Sequence, residues 1–135
     1  MALKITLRPN ERMIIDGTVV TNGGSTCNLF IENEVPILRE KNIMSEKDSN
    51  SPCRRIYFVV QLMYIDKENL AVHHDTYWRL AKDLVDAAPS VLGLIDQISE
   101  HIVNGRHYQA LKCARKLIHY EEEVFFNVCK STAGL

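Results

Sequence analysis

The 135-residue sequence is poor in the features that announce most chemistries. It holds four cysteines, Cys27, Cys53, Cys113 and Cys129, and no two of them form a Cys-x-x-Cys pair. That spacing offers neither a zinc ribbon nor a thioredoxin-type redox couple. Cys113 and Cys129 fall on one expected helix, about 24 Å apart at 1.5 Å per residue, too far to bridge. Reduced, buried or half-buried thiols are the expectation. Among five histidines there is no His-Glu-x-x-His. His119 and Glu123 lie one helical turn apart, but a metal needs a third ligand that the sequence does not place, so no metal is expected. No serine sits in Gly-x-Ser-x-Gly, the strained elbow that exposes a nucleophile. Gly17, Gly23 and Gly24 belong to hairpin turns rather than to a strand-to-helix junction, so no phosphate loop is formed. Glu121, Glu122 and Glu123 are consecutive on a helix and splay apart, poor geometry for a paired acid and base. Neither an enzyme nor a bound cofactor is expected.

Charge of one sign is also missing. Sixteen Lys+Arg stand against 17 Asp+Glu, a net of −1, which excludes a bulk polycation but not a local basic patch. The longest strongly apolar run, Ile56–Ile65, is ten residues, about half a membrane span. Met1-Ala2-Leu3-Lys4 is not followed by the long apolar run of a secretory signal. The expectation is a cytoplasmic protein with no membrane partner.

What is present is an ordinary globular composition, 46% hydrophobic and 24% charged, in a chain long enough to bury roughly two-thirds of its unfolded surface. Leu3–Arg8 alternates strictly, apolar at 3, 5 and 7 and polar at 4, 6 and 8, the mark of a half-buried strand. Arg12–Ile15 is a second strand, and Asp16-Gly17 is a type I′ hairpin signal leading to Thr18–Val20. Asn22-Gly23-Gly24 turns the chain into a longer strand, Thr26–Glu32. Val35–Leu38 is a last extended piece whose Pro36 suits an edge. Ser45–Ser51 is polar and reads as a linker. Ser51-Pro52 is an N-cap followed by proline at the first helical position. It opens a helix, Arg54–Ile65, that is apolar at nearly every position after Arg54-Arg55 except Gln61 and must therefore be central or docked. Asp75–Ala88 carries Tyr77, Leu80, Ala81, Leu84 and Ala88 on one face. Val91–Ile102 follows, closed by Asn104-Gly105, and Tyr108–Cys129 is a long fourth helix whose stripe runs through Leu117, Glu121, Phe125 and Val128. The fold expected is α+β: a small antiparallel β barrel or sandwich over 1–44, a linker over 45–51, and an antiparallel bundle of about four helices over 52–130.

The basic residues carry the functional argument. Lys4, Thr6 and Arg8 share the polar face of the first strand. Arg39 and Lys41 share a face if the last strand continues, Arg12 opens the second strand, and Arg54-Arg55 begins the first helix. If the first and last strands are neighbours, Lys4, Arg8, Arg39 and Lys41 form a compact cationic ridge able to hold a phosphate backbone while unpaired bases are read. The bland alternative is an edge ridge whose charges discourage aggregation. A protein-docking module is the competing class, resting on the aromatics Tyr57, Phe58, Tyr64, Trp78 and Tyr108 and the apolar 56–65 run. Ordinary core packing is the bland reading of those residues.

The segments Leu3-Lys4-Ile5-Thr6-Leu7-Arg8-Pro9-Asn10-Glu11-Arg12, Asn22-Gly23 and Pro36-Ile37-Leu38-Arg39-Glu40-Lys41 resemble the FlbT family of flagellin-biosynthesis regulators. So do Pro52-Cys53-Arg54-Arg55-Ile56-Tyr57, Gln61-Leu62-Met63-Tyr64, His74-Asp75-Thr76-Tyr77, Ala87-Ala88-Pro89-Ser90 and Ala110-Leu111-Lys112. The likeness runs over roughly residues 2–125 in order. It implies a cytoplasmic post-transcriptional regulator that binds the 5′ untranslated region of flagellin messenger RNA and alters its translation and decay. It further implies work with a FlaF-type partner and, through it, a link to flagellin secretion. The first fifty residues are also similar in layout to the CsrA family of RNA-binding translational repressors. That likeness implies contacts at Lys4, Thr6, Arg8 and Arg39, although Asn10 stands where that family has glycine. The candidate RNA contacts are therefore Lys4, Thr6, Arg8, Arg12, Arg39, Lys41, Arg54 and Arg55. The candidate partner contacts, for a FlaF-like protein, flagellin or a second copy of the chain, are Tyr57, Tyr64, Trp78 and Tyr108. The double change Arg8→Ala with Arg39→Ala is expected to weaken leader binding while leaving the fold intact.

Overall fold

The computed structural model describes residues 2–133, with side chains over 2–124. Phe125, Val128 and Cys129, placed above on the fourth helix, therefore have side chains outside the described residues. The chain divides into two compact units after Ile43.

The first unit is made of five short strands, β1 (Leu3–Leu7), β2 (Arg12–Ile15), β3 (Thr18–Thr21), β4 (Cys27–Ile31) and β5 (Ile37–Arg39). They form two antiparallel sheets, β1-β4 and β3-β2-β5, rather than a closed barrel. The alternation in β1 is realised: Ile5 and Leu7 are buried, while Lys4 and Thr6 face out. Ile5, Leu7 and Met13 are the buried centre, with Ile15, Leu29, Ile31 and Ile37 packed against them. The β2-β3 hairpin turns at Asp16 and Gly17, with φ of 49° and 83°, the positive pair that a type I′ turn demands.

The expected adjacency of the first and last strands is corrected here. β5 aligns with β2, Met13 opposite Arg39 and Ile15 opposite Ile37, and β1 aligns with β4 from Leu3-Ile31 to Leu7-Cys27. Strand length decides this. β1 has a five-residue partner available in β4, whereas β5 is three residues long and follows Pro36, which has no N–H for a ladder. Pro36 contributes only its carbonyl, which accepts from Asp16 N at 2.8 Å. β5 also stops at Arg39, so Lys41 lies in a 3-10 turn over Glu40–Asn42 and not on a continued strand.

The second unit holds four helices, α1 (Pro52–Ile65), α2 (Leu70–Ala87), α3 (Leu92–Val103) and α4 (His107–Ala133). Ser51 caps α1 by accepting from Arg54 N at 3.2 Å, with Pro52 in the first turn. The Glu121 carboxylate adds a second cap, accepting from the Ser51 hydroxyl and from Cys53 N; negative charge is favoured at this helix end. α1 is the central helix, packed on α2 and α4, and α3 packs on α4. Ile56, Val60 and Met63 are fully buried on it. Its one buried polar side chain, Gln61, grips the main chain of Met44 from both sides, Met44 N to Oε1 and Nε2 to Met44 O, each 2.8 Å. The polar stretch read as a linker contains a 3-10 turn, Glu46–Asp48, capped by Ser45. α2 starts five residues before the expected Asp75, because the 3-10 turn Lys67–Asn69 runs straight into it while the apolar stripe begins only later. α3 ends in a Schellman motif: Gly105 N bonds Ile102 O and Arg106 N bonds His101 O, with Gly105 at φ 73°. This is the left-handed cap for which glycine is best suited.

Candidate nucleic-acid interface

The site is built on the corner where β1 leaves its sheet. Arg8-Pro9-Asn10-Glu11 is a tight turn, closed by Glu11 N to Arg8 O at 3.1 Å. Asn10 holds φ 64°, a left-handed conformation that asparagine tolerates better than most residues. Asn22, on the far side of the β2-β3 hairpin, locks the turn. Its Nδ2 lies within bonding distance of the carbonyls of Leu7, Arg8 and Ser25, at 3.0–3.1 Å. Its main chain is joined to Asn10 and Glu11. The two sheets are thus stitched together at Asn22, one of the residues on which the family resemblance rests.

Arg39 makes the second stitch. Although β5 does not pair with β1, the Arg39 guanidinium donates to Thr6 O at 2.8 Å and lies 3.6 Å from the Glu11 carboxylate. Glu11 also accepts from Arg8 N at 2.9 Å. That backbone hydrogen bond, more than the neighbouring positive charges of Arg39 and Arg8, holds the Glu11 carboxyl below its ordinary range.

Around these groups lies a surface cleft of about 560 Å³ lined by Arg8, Pro9, Asn10, Glu11, Arg39, Glu40 and Lys41. Three of the cations expected to work together, Arg8, Arg39 and Lys41, line it. Their states differ. Arg39 is held by Glu11 and Thr6, and Arg12 is paired with Glu40 at 3.5 Å on an exposed surface. Among the described residues, Arg8, Lys41 and Lys4 form no ion pair. A fixed guanidinium flanked by unpaired cations is an arrangement suited to an anionic, phosphate-bearing ligand.

Lys4 and Thr6 lie on the outer face of β1, opposite Phe30 and Asn28 of β4. The Thr6 hydroxyl donates to Asn28 Oδ1 at 2.8 Å. Phe30 is 60% exposed beside Lys4. The sequence reading missed it because Leu29-Phe30-Ile31 is apolar throughout and shows no alternation; only the β1-β4 register reveals which of the three faces out.

The other expected sites fall on the helical unit. Arg54 lies in the first turn of α1 and pairs with Glu122 at 3.5 Å, and Arg55 is exposed beside it. Glu121, expected on the stripe of the fourth helix, caps α1 as described above. Tyr57 is buried and near Arg115, so it serves the core rather than a docking surface. Tyr64 and Tyr108 meet at 5.5 Å between ring centres, with the Lys112 ammonium 5.3 Å from the Tyr108 ring. Trp78 is 44% exposed and stands edge-on to buried Tyr77. Among the described residues, no cluster of three or more His, Cys, Asp or Glu side chains could hold a metal ion, and no helix is long and apolar enough to cross a membrane.

Comparison with known proteins adds an independent finding. Residues 3–125 match the family described as "Flagellar protein FlbT". The "Probable flagellum biosynthesis repressor protein FlbT 1" of Bradyrhizobium diazoefficiens is 46% identical over 125 residues, covering 92% of this chain and 85% of that protein. A relative of the same kind from Rhodopseudomonas palustris is 39% identical over 124 residues, covering 92% of this chain and 98% of the relative. The "Flagellum biosynthesis repressor protein FlbT" of Caulobacter vibrioides is 35% identical over 125 residues, covering 91% and 89%. No solved structure matches the chain.

Proposed function

The chain belongs to the FlbT family of flagellar proteins, and from that premise we propose that it is a regulator of flagellum biosynthesis acting on RNA. Its ligand in this reading is the 5′ leader of flagellin messenger RNA, bound by the β unit so that ribosome entry or message decay is altered. The work is done in the cytoplasm, without catalysis or a cofactor. One observation carries the reading: the cleft that sets Arg8 and Lys41, neither in an ion pair among the described residues, beside a guanidinium already fixed by Thr6 and Glu11. Phosphate contacts of this kind supply affinity and orientation, and recognition of unpaired bases supplies specificity. Few cations are involved, so the salt dependence is modest, with each phosphate neutralised on a single strand contributing a slope of about −0.7. Arg12, paired to Glu40, is a weaker contributor than Arg8 or Lys41. The test is a gel-shift titration of a flagellin leader against wild type and an Arg8→Ala, Lys41→Ala double variant. Weaker binding and a shallower salt slope in the variant support the reading; equal affinity at every salt concentration removes the cleft from it.

A second reading has its own observation. Trp78 and Tyr108 are large aromatic side chains that the helical core leaves exposed, and such anchors concentrate binding energy in protein interfaces. A FlaF-type helical protein or flagellin docks there in this reading. Size-exclusion chromatography of mixtures, with wild type against Trp78→Ala, tests it; no shift with either candidate sinks it.

A further inference from the structure

We infer that the outer face of the β1-β4 sheet is a stacking platform for an unpaired base, with Phe30 as the residue on which the base lies. The inference rests on the RNA-binding reading and specifies the form of the ligand, a single strand rather than a duplex. A phenylalanine 60% exposed on a two-stranded sheet contributes nothing to the core of its own unit. Its surroundings are polar and positive. Lys4 is directly opposite in the register, and the next pair on the same face is Thr6 with Asn28. Neither strand contains an acidic residue, so within the sheet the face offers an aromatic ring and the Lys4 ammonium without a carboxylate; Glu32 follows just past the end of β4.

The polar pair is set up to meet a base edge. The Thr6 hydroxyl donates to Asn28 Oδ1, which leaves the amide N–H donors of the exposed Asn28 uncommitted to Thr6. Same-face positions along a strand repeat every ~6.6 Å, so the Phe30-Lys4 pair is followed at that interval by Asn28-Thr6, and Arg8 follows in the turn just past the end of β1. Arg8 is also a wall of the cleft. A strand lying along this face is therefore stacked at Phe30 and meets the Thr6-Asn28 pair, with the cleft cations Arg8 and Lys41 beyond the end of β1. A duplex presents no free base face to Phe30, whereas every unpaired base does, and aromatic stacking combined with a cationic track is the general solution for single strands.

The test uses the full chain and fluorescence anisotropy with a labelled unstructured oligoribonucleotide and a hairpin-free duplex of equal length. Phe30→Leu keeps an apolar side chain at an exposed position, so folding is not at stake. Single-strand affinity is expected to fall roughly 5- to 150-fold, with an unchanged salt slope. Phe30→Trp in a Trp78→Phe background is expected to restore affinity, with indole fluorescence quenched on binding. If wild type binds the single strand and Phe30→Leu binds it equally well, the platform is overturned while the RNA reading stands. If wild type binds neither RNA, both fall. A wild-type dimer that Phe30→Leu abolishes without changing RNA affinity would reassign the face to a second copy of the chain.

Discussion

The Arg39 guanidinium donates to the main-chain carbonyl of Thr6 at 2.8 Å, across the gap between two sheets that share no ladder. Arg39 thus reaches β1 by its side chain, although its backbone pairs with β2. This changes what its removal tests. Arg39→Ala strips a charge-assisted bond and the Glu11 partner, so about 1 kcal/mol of stability is expected to go with it, discounted for partial exposure. The double change with Arg8→Ala therefore cannot be taken as leaving the fold intact. Urea denaturation of Arg39→Ala beside Lys41→Ala checks this: the first midpoint moves down and the second does not. Identical midpoints would show that the Thr6 bond is dispensable.

Gln61 is the one polar residue buried on α1, and both ends of its amide are used on Met44. Gln61→Leu keeps the volume but leaves the Met44 N–H and C=O without partners. A loss of about 2–6 kcal/mol is expected, from one to three for each of the two stranded groups. Thermal or chemical unfolding measures it; a variant as stable as wild type would mean that water or a shifted loop replaces the amide at no cost.

His107 lies at the start of α4 with its ring 5.9 Å from His74, and the Nε2 atoms of both are buried without a hydrogen-bond partner. Burial first, then the neighbouring His74 and Lys67, lower its pKa below 6.5. The unfolded chain thus takes up a proton near pH 6.5 that the folded chain refuses. Stability is full above that pH and declines as pH falls from 6.5 toward the folded value. His107→Gln is expected to flatten the decline between pH 7.5 and 5 (chosen as ~1 unit or more on each side of the unfolded value), read as urea midpoints. An unchanged slope would exclude His107 as its source.

Cys53 is buried at the capped start of α1. Burial, with the Glu121 carboxylate beside it, pushes its thiol up to about 12. Only the thiolate is nucleophilic, so in native protein alkylation is expected at exposed Cys27 well before Cys53. Peptide mapping after brief iodoacetamide treatment checks the order, and early labelling of Cys53 would show that the α1 N-terminus opens readily.

Much of the fold was legible because local rules sufficed. Strict alternation placed β1 and its inward residues, Asp16-Gly17 placed the hairpin, Ser51-Pro52 placed the start of α1, and Asn104-Gly105 placed the end of α3. Each signal is confined to a few neighbouring residues whose conformational preferences are decided locally. The site was legible only in part. Arg8, Arg39 and Lys41 do converge on one cleft, but not through the strand pairing that suggested it. Tyr57 looked like an anchor and is core, since a helix that is apolar at nearly every position from 56 to 65 does not announce which side is covered. Phe30 was hidden in an apolar triplet.

By itself the sequence determined the element types, the turn positions, the family, and the inventory of cations on the β unit, because these depend on residue identity and short-range geometry. Tertiary structure alone decided which cations remain unpaired, that Glu121 caps α1, and that Phe30 faces outward beside Lys4. Those are consequences of register and of contacts between residues far apart in the chain, and a short apolar or charged segment carries no mark of the partner it will meet.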